Sequence, residues 1–412
     1  MPEFLHLLPP DEALKTWLTA LPQPVEFNCE RLDTAQALNR VLGEDITAPE
    51  ALPPFPRSTV DGYAVHAAST FGATPSLPAY LDLQGEVRMG QEATLALEPA
   101  QAALIHTGGM IPDGADAVVM IEDTQRAHEG QIEVLKAVAS GENILQAGED
   151  VKAGQLVLPA GKRLRPQEIG GLMALGVTSV LVRKRPRVGI ISTGDELISP
   201  DQQLEPGQVR DVNSYSLAAL INRLGGEVSR QLLLPDDRQQ LQPALKLAQA
   251  EDDVIVVTAG SSVSERDLTA DTIAALGKPG VLVHGIQIKP GKPTILASAE
   301  GTPVLGLPGN PVSAFIIAGI FLPPLLQLLL GGAQNTPQAV VAASLTVNIA
   351  SLAGREDFVP VRLQQEGEAW LAEPVYGRSN LIFTLVRADG LIRIPPAATG
   401  LDKGAQVMVH LF

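Results

Sequence analysis

Between residues 183 and 332, short apolar runs alternate with amphipathic stretches. The apolar runs predict strands at 187–192, 228–234, 253–258, 281–288 and 303–307. The amphipathic stretches predict helices near 214–224, 238–250, 268–276 and 311–322. Such alternation implies a parallel sheet with helices on both faces, a doubly wound α/β domain. From about 336 to the end, strand patterns return at 339–349, 358–364, 391–394 and 406–411 without a helical period. A small β-barrel or sandwich is expected there.

Upstream the text differs. Residues 11–21 and 33–42 read as short amphipathic helices; in the second, Asp33 or Thr34 caps and Ala37, Leu38, Val41 and Leu42 form the apolar stripe. From 49 to 142 short alternating strands are separated by glycine, proline and aspartate, with 115-ADAVVMIE the clearest strand and Asp61-Gly62 a tight-turn signal. The segment 148-GEDVKAGQLVLPAGK spaces its glycines for two turns, and 166-PQEIGGLMAL starts a helix with proline in its first turn. The expected organisation is an elongated α+β domain from 1–48 and 143–182, a β-rich domain inserted at 49–142, the α/β domain at 183–332 and a β-barrel at 333–412.

Composition narrows the function classes. A chain of 412 residues is long enough for two to four domains. The net charge of −16 argues against nucleic acid, which requires a basic face. The one dense basic run, Arg183 to Arg187, reads as a solvated linker. A single cysteine, Cys29, excludes an internal disulfide and fits a reducing cytoplasm, and six scattered histidines offer no zinc-ligand spacing. The start of the chain shows no signal-peptide pattern. An uncharged stretch runs from Gly301 to Gly354, but Pro311 and the Pro323-Pro324 pair are expected to leave only one short helix, too short to span a membrane.

Candidate chemistry lies in the loops after the strands. Thr193-Gly194-Asp195-Glu196 follows 187-RVGIIS, Lys289-Pro290-Gly291-Lys292-Pro293 follows 281-VLVHGIQI, Leu307-Pro308-Gly309-Asn310-Pro311 follows 303-PVLG, and 258-TAGSSVSERD follows 253-DVIVV. Loops at the carboxyl ends of parallel strands share one edge, where such sheets bind ligands. Pro311 suits a first helical position, Asn310 the cap and Ser313 the first turn, so free N–H groups are expected to face an oxyanion there. Lys289 and Lys292, braced by prolines and a glycine, add positive charge. Asp195, Glu196, Asp236, Asp237 and Asp267 bring carboxylates to the same edge; at least one of Asp236 and Asp237 is a helix cap. Carboxylates beside an anionic ligand call for a cation, and oxygen-only ligands suit Mg²⁺. Asp267 is alternatively a base or orients a nucleophile. No P-loop and no dinucleotide fingerprint is present.

The motifs STGDEL, IKPGKP and LPGNPVS, in this order, resemble the molybdopterin molybdenumtransferases, the MoeA/gephyrin E-domain family. The segments 61-DGYAV, 106-HTGGMIPDGADAVVM, 148-GEDVKAGQ, 354-GREDF and 377-GRSN extend the resemblance from end to end. It implies a MogA-like α/β domain and insertion of molybdate-derived molybdenum into adenylylated molybdopterin, with release of AMP. The Mg²⁺ expected from the carboxylates would be held by some of Glu196, Asp236 and Asp267, and the resemblance implies a homodimer in which Asp61, Thr107 and Asp150 face the sheet-edge loops of the other subunit. Catalytic roles fall to Asp267, Glu196, Asp61 and Asp150. Substrate contacts fall to Thr107, Thr193, Gly194, Asp195, Ser262, Lys289, Lys292, Pro308, Asn310, Pro311 and Ser313, with Arg355 and Ser379 near the molybdate. The loop from Thr258 to Ala270 departs from the family, with Ser264 for a glycine and Ala270 for a lysine. That departure keeps open a non-catalytic scaffold on the same fold. A hydrolase of a nucleotide or pterin pyrophosphate is the other alternative.

Overall fold

The computed structural model describes residues 7–24, 26–259, 263–331 and 339–412, without the side chains of 263–267. Two units emerge, one formed by Met1–Glu30 with Arg183–Phe412 and the other by Arg31–Val182.

The first unit is built on a six-stranded sheet in the order Glu227–Leu234, Arg187–Thr193, Val254–Ala259, Thr302–Pro308, Ile295–Ala299, Pro279–His284. The first four strands are parallel. Every position of Val254–Ala259 is buried, as expected of a strand covered on both faces. One face packs on Leu217, Ile221 and Phe321, the other on Leu241, Leu245 and Ile273.

Several expectations are corrected here. The sheet is mixed, because Ile295–Ala299 runs antiparallel to both neighbours. Its hairpin to Thr302–Pro308 turns on Glu300 and Gly301, with φ of 52° and 94°, the left-handed pair of a two-residue turn. The strand expected at 281–288 stops at His284, and Ile288–Lys289 pairs instead with Glu356 and Asp357. The helix expected to end before Pro323-Pro324 runs from Pro311 to Leu329. Ile316, Ile317, Phe321, Leu322, Leu325 and Leu326 are all buried in it, and that burial outweighs the two backbone donors lost at the prolines. It is the one described helix apolar and long enough to span a membrane, and it forms part of the core of this unit.

The helix Pro10–Ala20 also belongs to this unit, not with 143–182 as expected. Ala13, Trp17 and Leu21 form a buried stripe at helical spacing, and the Trp17 indole N–H donates to the Ala297 carbonyl at 2.8 Å. Nor is the 183–187 run a solvated linker. Arg183 is buried, lies 3.7 Å over the Phe27 ring and donates to the Leu330 carbonyl, whereas Lys184 and Arg185 are exposed.

The C-terminal strands close into a barrel: Glu356–Glu366, Ala369–Pro374, Val340–Leu345, Gln406–Leu411 and Gly390–Ile394, the last returning to the first. Closure removes unpaired edges, and this separates a barrel from the sandwich alternative. The strand Ala369–Pro374, not expected from the pattern, completes it.

In the second unit a six-stranded sheet carries Gly62–Val65 at the second position, between Ala117–Met120 and Gln101–Ile105. Gly62 is required by close approach: a Cβ there would lie 1.9 Å from the Val119 carbonyl oxygen. The helix expected over 33–42 is reduced to one turn, Thr34–Gln36. Asn39 at φ 62° breaks it, and Val41 and Leu42 bridge to Arg163 and Val182. Three residues of the apolar stripe, Ala37, Val41 and Leu42, are still buried, with Ala37 and Leu42 packed on Leu164, Leu172 and Val180, but Leu38 is exposed.

Candidate functional site

The parallel pairing of Ile288–Lys289 with Glu356 and Asp357 joins the α/β layer to the barrel, and a cleft of about 1030 Å³ opens beside it. Lys289, Lys292, Pro308, Asn310, Ser313, Arg355 and Ser379, all expected from the sequence, line this cleft. The lysine loop is held in shape. Gly291 has φ 108°, a Cβ on it would meet Ile317 at 2.4 Å, and its carbonyl accepts the Thr294 hydroxyl at 2.7 Å. The Lys292 carbonyl accepts the Ile286 N–H at 2.9 Å. Both lysine side chains are left exposed on a fixed backbone.

Pro311 opens the long helix at its first position, and Asn310 holds the cap position without a side-chain bond to the first turn. The expectation of free N–H groups needs correction at one place, since Val312 donates to the Ser379 carbonyl at 3.0 Å. That bond fastens the GRSN segment onto the helix start. Two charged residues not assigned to the site by sequence reasoning also line the cleft, Asp357 and Arg378. Arg355 donates from Nε to Asp357 Oδ1 at 2.8 Å and from Nη2 to Oδ2 at 3.3 Å. Lys289 Nζ stands 4.0 Å from the same carboxylate. The signal for Asp357 was its place in GREDF, two residues after Arg355 and within reach of its guanidinium.

The carboxylates form a second group. Ser192, Thr258 and Leu307 stand in register across three neighbouring strands, so the loops after them share an edge. The hydroxyls of Ser214, Ser192 and Thr258 are linked in series at 2.8 Å each, beneath the buried Thr193. Gly194 donates to the Leu234 carbonyl at 3.1 Å, and Asp195 Oδ1 accepts the Asp236 N–H at 3.1 Å. Asp237 is the helix cap, accepting from Gln239 at 2.9 Å. Asp195 and Glu196 are exposed. None of Thr193, Gly194, Asp195, Glu196 and Asp236 lines the cleft, so one expected site becomes two neighbouring groups. They meet at the 308–310 turn, where Asn213 Nδ2 donates to the Gly309 carbonyl at 2.8 Å. Ser262 and the Asp267 side chain lie outside the described residues. Among the described residues no set of three carboxylate, histidine or cysteine groups is gathered for a metal. Asp195, Glu196 and Asp236 carry only oxygen donors, the donor type that Mg²⁺ takes from one or two protein carboxylates beside substrate phosphates.

The remaining candidates lie in the second unit. Asp61 Oδ1 accepts the Thr107 N–H at 2.7 Å and its hydroxyl at 3.1 Å. These bonds hold the Asp61 carboxyl below its ordinary range, aided by nearby His106. His106 also reaches Glu86 at 3.1 Å. Asp150 is exposed in a separate turn, its N–H donating to the Leu52 carbonyl at 3.0 Å.

Comparison with known proteins agrees along the whole chain. Residues 8–176 match the MoeA N-terminal region (domain I and II), 189–327 the family described as "Probable molybdopterin binding domain", and 342–412 the MoeA C-terminal region (domain IV). The chain is 32% identical to the molybdopterin molybdenumtransferase of Haemophilus influenzae over 98% of both chains. It is 34% identical to molybdopterin molybdenumtransferase 2 of Mycobacterium tuberculosis over 91% of this chain and 93% of that one. A solved molybdopterin biosynthesis MoeA protein from Pyrococcus horikoshii matches with a TM-score of 0.85 and 33% identity, covering 98% of this chain and all of the other. With these relatives matched over nearly their full length, and with the cleft assembled from IKPGKP, LPGNPVS, GREDF and GRSN, all segments that carry the resemblance, the chain belongs to the MoeA family of molybdopterin molybdenumtransferases.

Proposed function

We propose that the chain transfers molybdate-derived molybdenum to adenylylated molybdopterin and releases AMP. The observation that carries this reading is the convergence of Lys289, Lys292, Ser313, Arg355 and Ser379 on one cleft. Four cations line it, counting Arg378, against one carboxylate among the described residues, although the whole chain is acidic. A small oxyanion is the ligand such a local field selects. The adjoining edge, with Thr193, Gly194, Asp195 and the 308–311 turn, takes the pterin and its phosphates, and Ser262 joins it. Glu196, Asp236 and Asp267 would hold Mg²⁺, which when bound supplies positive charge at the phosphoanhydride. No protein nucleophile is needed, because positioning two anions in one field accounts for the acceleration.

Asp61, Thr107 and Asp150 contribute from another copy of the chain, so the working form is a homodimer. The free cysteine and the nature of the relatives favour the cytoplasm. The test is AMP release from adenylylated molybdopterin with molybdate and Mg²⁺, and its loss in Asp267→Asn. Tight binding of both ligands with no AMP formed, with molybdate or with tungstate, would establish the scaffold alternative instead.

A further inference from the structure

A carboxylate inside an anion-binding cleft is unfavourable unless it does something else. Asp357 lines the cleft, yet its side chain is only 6% exposed, and both oxygens face Arg355. The pairing uses the Nε side of the guanidinium and leaves the Nη1 side uncommitted to Asp357. Asp357 also stands directly across the parallel strand pair from Lys289, whose side chain is 60% exposed with Nζ 4.0 Å away. The backbone ladder therefore fixes the position of the carboxylate, and the carboxylate fixes one cation and restrains a second. Its neighbour Glu356 is differently placed: it is buried, pairs with Arg393 at 2.6 Å and does not line the cleft.

We propose, on the oxyanion reading of this cleft, that Asp357 is a positioning residue that orients Arg355, and secondarily Lys289, toward the bound oxyanion. Long cationic side chains lose rotamer freedom when they engage a ligand, and a buried partner that holds them beforehand lowers that cost. Held in this way, Arg355 presents its fork without rearrangement, which an exposed arginine does not.

Charge and position predict opposite signs, so a single variant separates them. Asp357→Asn removes a negative charge beside the anion, and on charge alone it tightens molybdate binding. As a positioning residue, its replacement weakens binding by roughly tenfold, the scale of one hydrogen bond to a charged group. Calorimetric titration with molybdate, at matched thermal stability, reads the result. The loss should vanish or reverse when Asp357→Asn is introduced into Arg355→Ala protein, because there the carboxylate has no guanidinium to orient. Asp357→Glu keeps the charge but moves it by one methylene; it should also weaken binding, and it serves if the asparagine variant folds poorly. In turnover the effect should fall on KM for molybdate more than on kcat. Unchanged or tighter binding in both Asp357 variants, or a loss that persists undiminished without Arg355, overturns the proposal. If the wild-type protein itself binds no molybdate, or Lys292→Ala binds it as tightly as wild type, the oxyanion reading fails, and that outcome is distinct from failure of the Asp357 role.

Discussion

The backbone N–H of Val312 donates to the carbonyl of Ser379 at 3.0 Å. The first turn of the long helix is thereby joined to a loop of the barrel layer, far away in sequence. The cleft thus depends on two layers of the first unit holding their register, with Lys289 and Asp357 forming the matching link on the β side.

Alanine at Lys289 or at Lys292 is expected to weaken molybdate binding by about 1.5–3 kcal/mol, the range for hydrogen bonds to charged groups. The fold should be untouched, since both side chains are exposed. Titration at two salt concentrations checks this, the difference from wild type shrinking as salt screens the field. Equal affinity in both variants would remove the lysines from the site.

Gly291→Ala places a methyl group against Ile317 at a residue whose φ is 108°. Overpacking of this kind costs about 1–3 kcal/mol, and the displaced loop should bind molybdate less well. Gly404, at φ 83° with nothing near its missing Cβ, is the control. Alanine there should carry only the smaller conformational cost and leave binding alone. Urea unfolding of the two variants reads the contrast directly.

Trp17→Ala empties a fully buried site and removes the indole hydrogen bond to the Ala297 carbonyl. The expected loss is about 3–5 kcal/mol, measured in the first unit by chemical denaturation. A change below about 1 kcal/mol would mean that the Pro10–Ala20 helix is not docked on the sheet in solution.

Glu168 supplies the pH dependence. Its carboxylate accepts bonds from the Arg165 guanidinium and backbone N–H, and these hold it at about 2, below an ordinary value of 4.5. A carboxylate depressed in the folded state stabilises fully above its unfolded value, and that contribution disappears as pH falls through the folded one. Stability of the Arg31–Val182 unit should therefore decline from about pH 4.5 toward 2, by on the order of 2 kcal/mol given the exposed Arg165. Glu168→Gln should be less stable at neutral pH and flatter across this window. A melting-temperature series against pH shows whether the two curves converge in acid.

Much of the site was legible because short-range rules govern its parts. Apolar runs ending in glycine and proline located the loops after 187–193, 254–259 and 302–308, and Asn310-Pro311 marked a helix start wherever that helix packs. Lys289 and Lys292 could be picked out for the same reason, since the turn between them is local. What joins these pieces is not local. Ile295–Ala299 offers five mostly small residues whose strand state exists only because two neighbours pair with it. The Pro10–Ala20 helix showed its stripe in sequence but not the sheet beneath it, and burial against that sheet, not periodicity, chose its partner. Pro323 and Pro324 read locally as a stop, yet the packing of the helix around them overrides a penalty of about 3 kcal/mol each. Asp357 belongs with these cases. Its motif was visible, but its partnership with Lys289 comes from a strand pairing across 68 positions, and backbone hydrogen bonds between distant segments leave no periodic trace in either one.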